Sequence, residues 1–224
     1  MNSLPKIYLI DSVDCDKCPY PDVYINNFKH VPEWRTCKGE DCIREDVISH
    51  RLLISYEYEK MKLDKPAFFY GNDDYNLVTT TSFADQVSEL LGGCVPHRIG
   101  IAVEEHNHGF VDEKDWFTFE PHFSEQMISG RCGLVYDSSG KPLERCDACP
   151  HQKRLDYSLS IADQFLSPTQ WDGSDIFKID CSFRPVLTSR GVDALLNAGF
   201  NPLNLVELKW APESMDKQAE NYHA

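Results

Sequence analysis

The chain has 224 residues, 42% of them hydrophobic, and 36 acidic against 22 basic side chains give it a formal net charge of −14. That length supports one sizeable domain or two small ones around a real core, while the charge argues against nucleic-acid binding because no segregated basic patch is legible. No apolar run approaches a membrane span, and Met1 to Lys6 lacks the pattern of a secretory signal, so a cytoplasmic protein is expected, its nine cysteines serving as thiols and metal ligands rather than a disulfide framework.

Lys6 to Ile10 is a short apolar run with aromatic and β-branched members, and it predicts a buried strand leading straight into Cys15-Asp16-Lys17-Cys18. From Pro21 to Glu40 the chain mixes Pro, Asn and aromatic residues without a period, the composition of an irregular segment or short edge strands. Helix and strand compete from Asp46 to Lys62. Pro66 to Tyr70 reads as a strand closed by the turn formers Gly71-Asn72-Asp73-Asp74.

Ser82 to Leu91 is a core-facing helix: Phe83, Val87, Leu90 and Leu91 share a face, Ser82 can cap it with Asp85 reaching back, and Gly92-Gly93 can end it. Arg98 to Val103 predicts a strand, Glu104 to Glu125 an acidic and aromatic stretch, and Gly130 to Tyr136 another strand before the turn at Asp137 to Pro142. A loose helical pattern runs from Leu155 to Leu166, and Trp171 to Ile179 is a turn passing into a strand. Arg184 to Leu187, a helix capped by Thr188 or Ser189 and ended by Gly199, and the strand Leu203 to Trp210 make a strand-helix-strand unit. Ala211 to Ala224 is polar, shows no packing face and is expected to fray.

Two Cys-x-x-Cys knuckles carry the chemistry. Cys15 and Cys18 near the start and Cys146 and Cys149 late in the chain can together supply four thiolates to one zinc ion, a closed site that cross-links distant segments and performs no reaction. Proline follows each knuckle, at Pro19 and Pro150, where zinc knuckles favour a glycine whose amide turns toward sulfur; buried or redox-active thiols are the other reading. Cys37 and Cys42, with His30 or His50, could form a second site, whereas Cys94, Cys132 and Cys181 lie in strand-like runs and read as packed thiols.

Glu104-Glu105-His106-Asn107-His108 is the one stretch that could form an active centre, since alternate histidines on a strand point the same way and can share a metal. Against that zinc-dependent hydrolase stands a plain acidic loop that happens to hold two histidines, because no further ligand stands at a supporting spacing. A zinc-ribbon nucleic-acid binder is a third class, which the charge disfavours.

The two knuckles, the run Ser174-Asp175-Ile176-Phe177-Lys178, the segment Pro185 to Leu196 and the ending Gly199-Phe200 together resemble the double-CxxCG immunity proteins, antidotes to polymorphic bacterial toxins. The resemblance implies no enzymatic activity and a function by direct binding, in which the protein covers or distorts a toxin domain. Glu104, Glu105, Asp112, Glu113 and Asp115 are the expected contact residues, an acidic stretch suited to a basic toxin surface. The expected architecture is α+β, with small mixed sheets and a few helices stapled by a discontinuous zinc ribbon. Its parts are an N-terminal region over residues 1–145, the second knuckle with the strand-helix-strand unit over 146–212, and a polar tail over 213–224.

Overall fold

The computed structural model describes residues 3–19, 25–27, 51–55, 64–69, 77–98, 100–104, 123–133, 135–144, 161–179, 182 and 184–220, with some of these described in the backbone alone. The fold is α+β, as the sequence predicts, but its main sheet is larger than expected: seven strands in mixed orientation. The first strand, β1 (Ile7–Val13), lies at its centre. Two short sheets accompany it. One contains β2 (Ile25–Asn27), β3 (Arg51–Ser55) and β6 (Gly100–Glu104); the other contains β4 (Val78–Thr80), β5 (Cys94–Arg98) and β7 (Phe123–Ile128).

The strand-helix-strand unit forms as β12 (Val186–Thr188), α2 (Ser189–Asn197) and β13 (Leu203–Trp210), but its two strands are not neighbours. Between them lies β1, antiparallel to both, with Tyr8 opposite Leu187 on one side and Glu207 on the other. The main sheet is completed by β8 (Arg131–Cys132), β9 (Val135–Tyr136), β10 (Phe165–Leu166) and β11 (Ile176–Ile179), in the order β8-β11-β12-β1-β13-β10-β9. It therefore takes strands from both sides of the expected boundary at residue 145.

The two edge strands of this sheet come from a single stretch of chain. Gly133 and residue 134 are all that separate β8 from β9, so the edges stand no more than about 11 Å apart along the backbone. A seven-stranded sheet can satisfy that only by curling strongly, so that its two edge strands approach one another as in a barrel without pairing. Alternation of side chains supports it. Ile7, Leu9, Cys132, Val135, Leu166, Phe177, Ile179, Val186 and Leu208 form one buried cluster on the concave side. Their neighbours Ile10, Ile176 and Leu187 face the other way, into a second cluster with Val87, Leu91 and Leu195 from the helices.

Helix α1 (Thr81–Leu91) covers that outer face together with α2. Thr80, not Ser82, stands at its N-cap; no side-chain oxygen receives an end amide there, and the two hydroxyls lie 3.1 Å apart. It is locked to the short β4-β7-β5 sheet by buried Gln126 of β7, which donates to Ala84 O at 2.9 Å and accepts from the Ser88 hydroxyl at 3.1 Å. The C-terminus behaves as expected, with Gly92 at φ +53° and its amide on Ser88 O at 3.3 Å.

Three further expectations change. Of the strand expected over Pro66 to Tyr70, the described residues through Phe69 show a single bridge, Phe69 to Val78. The described end of the Leu155 to Leu166 pattern is one tight turn at Ile161–Asp163 followed by β10, so apolar spacing there serves a strand. The polar tail contains α3 (Glu213–Glu220), in which the buried side chain among the described ones is an aspartate, Asp216; a packing face made with a charged residue escapes hydropathy. No described helix is long and apolar enough to cross a membrane.

Candidate functional site

The first knuckle stands where β1 ends. A register shift between Ile10 and Ser12 bends the strand, and Asp14 N donates to Pro202 O at 3.1 Å, tying the strand end to the loop between α2 and β13. Cys15–Lys17 then forms one 3-10 turn, closed by Lys17 N on Asp14 O at 3.3 Å and by an ion pair at 3.0 Å between exposed Lys17 and the half-buried Asp14. Cys18 is half-buried. Its Sγ lies 3.8 Å from Phe68 O, a weak thiol-to-carbonyl contact.

The peptide that Cys18 meets is held on both polar atoms by Asn201. Phe68 N donates to Oδ1 at 2.7 Å and Nδ2 donates to Phe68 O at 3.2 Å, with Asn201 itself buried. Beside this clamp the Phe68 and Phe200 rings stack with centroids 4.7 Å apart. Three distant segments thus converge on the knuckle: residues 14–18, 66–69 and 199–202. Asn201 followed by proline was legible only as a turn signal, and its clamp on a residue 133 positions away was not.

As a zinc ligand Cys18 would have to be a thiolate, which cannot donate to Phe68 O, so its sulfur would turn from that carbonyl toward the metal. Four thiolates from Cys15, Cys18, Cys146 and Cys149 are a donor set suited to zinc. Cys146 and Cys149 lie outside the described residues, as does the side chain of Cys15, and no group of three or more metal-ligating side chains occurs among the described ones. Glu104 is the last residue of β6, paired with Ser55. Its side chain, and the whole of Glu105, His106, His108, Asp112, Glu113 and Asp115, lie outside the described residues; so do His30, Cys37, Cys42, His50 and Cys181.

Residues from the run Ser174 to Lys178 and the segment Pro185 to Leu196 build a joint. Asp175 Oδ1 accepts from the Thr188 hydroxyl, and from Arg190 Nε and a terminal guanidinium nitrogen at 3.0 Å each. Thr188 Oγ1 in turn accepts from Gly191 N at 3.1 Å, so one threonine caps α2 while an aspartate orients the cap. The Arg190 guanidinium also sits 5.9 Å from the Trp171 ring centroid, and Trp171 packs with Trp210 at 5.2 Å. Asp172 holds the preceding turn, its two oxygens receiving Ser174 N at 3.0 Å and Arg131 N at 2.8 Å. Burial raises its carboxyl, but these amides and the Ser174 hydroxyl outweigh that and leave it below the ordinary value.

The packed-thiol reading holds for Cys94 and Cys132, which are 5% and 1% exposed. Burial pushes the Cys94 thiol up to about 11, against a Ser88 hydrogen bond that lowers it. At neutral pH only on the order of one in ten thousand Cys94 side chains is a thiolate, so alkylation in the native protein should proceed only through opening of the α1–β5 contact. Because the folded value exceeds the ordinary 9.0, its contribution to stability is complete below pH 9 and is lost as pH rises toward 11. Cys94→Ala should therefore flatten the fall in unfolding free energy over that window by on the order of 2 kcal/mol, measured by denaturant titration at each pH. An unchanged slope would refute the assignment.

A scan against protein-family models and a search of the curated proteins found no match to this chain.

Proposed function

We propose that the chain is an immunity protein that binds a cognate bacterial toxin and neutralises it by covering its active or substrate-binding surface. The observation that carries this reading is the use made of the signature run. Asp175, Thr188 and Arg190 are committed to one another and to the start of α2, which supports a framing role for them rather than a catalytic one. The net charge of −14 suits a toxin with a basic cleft. In this reading a zinc ribbon of Cys15, Cys18, Cys146 and Cys149 staples the end of β1 to the segment before β10, and the acidic residues Glu104, Glu105, Asp112, Glu113 and Asp115 meet the toxin.

The test is co-expression with the small C-terminal toxin domain of the neighbouring reading frame. Growth should be rescued by the wild-type chain, and changing the five acidic residues to lysine should slow association at least about tenfold at low salt. Failure of the wild-type chain both to rescue growth and to bind would end the proposal. Independently, elemental analysis should give one zinc per chain, lost in the double variant Cys18→Ser, Cys149→Ser. Zinc retained in that variant would remove the ribbon while leaving the binding reading intact.

A further inference from the structure

Asp216 of α3 is 7% exposed, and its Oδ1 accepts the hydrogen bond of the Tyr136 hydroxyl at 2.6 Å. Its Oδ2 is shut off from solvent and has no donor. A buried carboxylate oxygen without a donor opposes the state that buries it. The phenol cannot change this by losing its proton. Burial first, then the hydrogen bond and charge of Asp216, raise Tyr136 far above the usual tyrosine range, so the donor persists; the Ser167 hydroxyl pulls the other way and Cys132 adds slightly.

The apolar seat of α3 is small. Ala211 and Met215 meet Tyr136 and Phe165 in a cluster separate from the two main cores, and Met215 lies against the turn at Gly140. Ala211 N donates to Leu166 O at 2.8 Å, continuing the β10–β13 pairing, but Pro212 has no amide to continue it. Pro212 and α3 can therefore move as a unit without breaking the sheet.

We propose that α3 is a detachable strap, docked on the outer face of β9 and β10 through Tyr136 and Asp216 and released in a local opening that the rest of the sheet does not share. Release hydrates both oxygens of Asp216, which offsets part of the lost contact, and turns Tyr136, Phe165 and Ala211 to solvent as a small aromatic face at one end of the sheet.

Hydrogen exchange followed by mass spectrometry on the full chain tests this. Amides of Glu213–Glu220 should exchange at least about a hundredfold faster than those of β1 and β13. Two substitutions should act in opposite directions. Tyr136→Phe removes the one donor and should accelerate α3 exchange about tenfold or more. Asp216→Leu removes the orphaned acceptor, keeps an apolar contact and leaves the Tyr136 hydroxyl to Ser167, so it should slow α3 exchange. The proposal is overturned if α3 of the wild-type chain exchanges together with β1 and β13, if Tyr136→Phe leaves α3 exchange unchanged, or if Asp216→Leu speeds it.

Discussion

Gly130→Ala is expected to destabilise the protein by about 4 kcal/mol, enough to unfold many domains of this size. A Cβ at Gly130 would stand 2.2 Å from Ile176 O and 2.8 Å from Ser174 Cβ. The obstacle is backbone, so no rotamer change removes it. Neither side can withdraw. Gly130 N donates to Gly93 O and Lys178 N donates to Gly130 O, both at 2.9 Å, while Asp175 N is bonded to Leu91 O at 3.1 Å. The Ser174 to Ile176 segment is thus threaded between Gly93 and Gly130, and this narrow passage is where the sheet joins the end of α1. Gly133→Ala is the control, because its nearest atom, Gln170 Oε1, lies 3.6 Å away and the change should cost less than about 0.5 kcal/mol. Urea or guanidinium unfolding of the two variants decides the matter. If both fall within about 1 kcal/mol of the parent protein, the threading is wrong.

The elements that were legible in the sequence are those whose signal is local. Leu203 to Trp210 has the same bounds in the structure, because apolar residues on both faces of a sheet still alternate: Leu203 and Leu205 enter the outer cluster, Val206, Leu208 and Trp210 the concave one. Thr188 caps α2 as a threonine before a helical run should. What escaped was every feature that depends on a distant partner. Gly130 to Tyr136 reads as one strand, and nothing in it says that its two halves pair with opposite edges of the same sheet, Lys178 to Arg131 and Phe165 to Tyr136. Lys6 to Ile10 was legible as a strand, but its place between β12 and β13 follows from pairing across more than 170 residues. At the candidate site the same division holds. The strand leading into Cys15 was readable, whereas the corner that fixes Cys18 is built by Phe68 and Asn201, whose side chains announce nothing by themselves.

That corner supplies a second large effect. Asn201→Ala is expected to cost about 3 kcal/mol, since the amide and the carbonyl of a buried Phe68 both lose their side-chain partner and alanine offers nothing in return. Asn204→Ala, three positions on, removes only an exposed bond from Nδ2 to the Ser12 hydroxyl at 2.8 Å and should be nearly neutral. Asn201→Asp keeps an acceptor for Phe68 N but turns a carboxylate oxygen toward Phe68 O, so it should be no better than alanine. Because Asn201 and the Cys18 thiol act on the same carbonyl when no metal is bound, Asn201→Ala and Cys18→Ala should couple in the metal-free protein, their double variant departing from the sum of the singles by at least about 0.5 kcal/mol. Denaturant unfolding of the four proteins in the cycle measures that term. Strict additivity would mean that the knuckle does not lean on the Phe68 peptide, leaving the bond from Asp14 N to Pro202 O as the tie between the end of β1 and the loop after α2 that the variants do not touch.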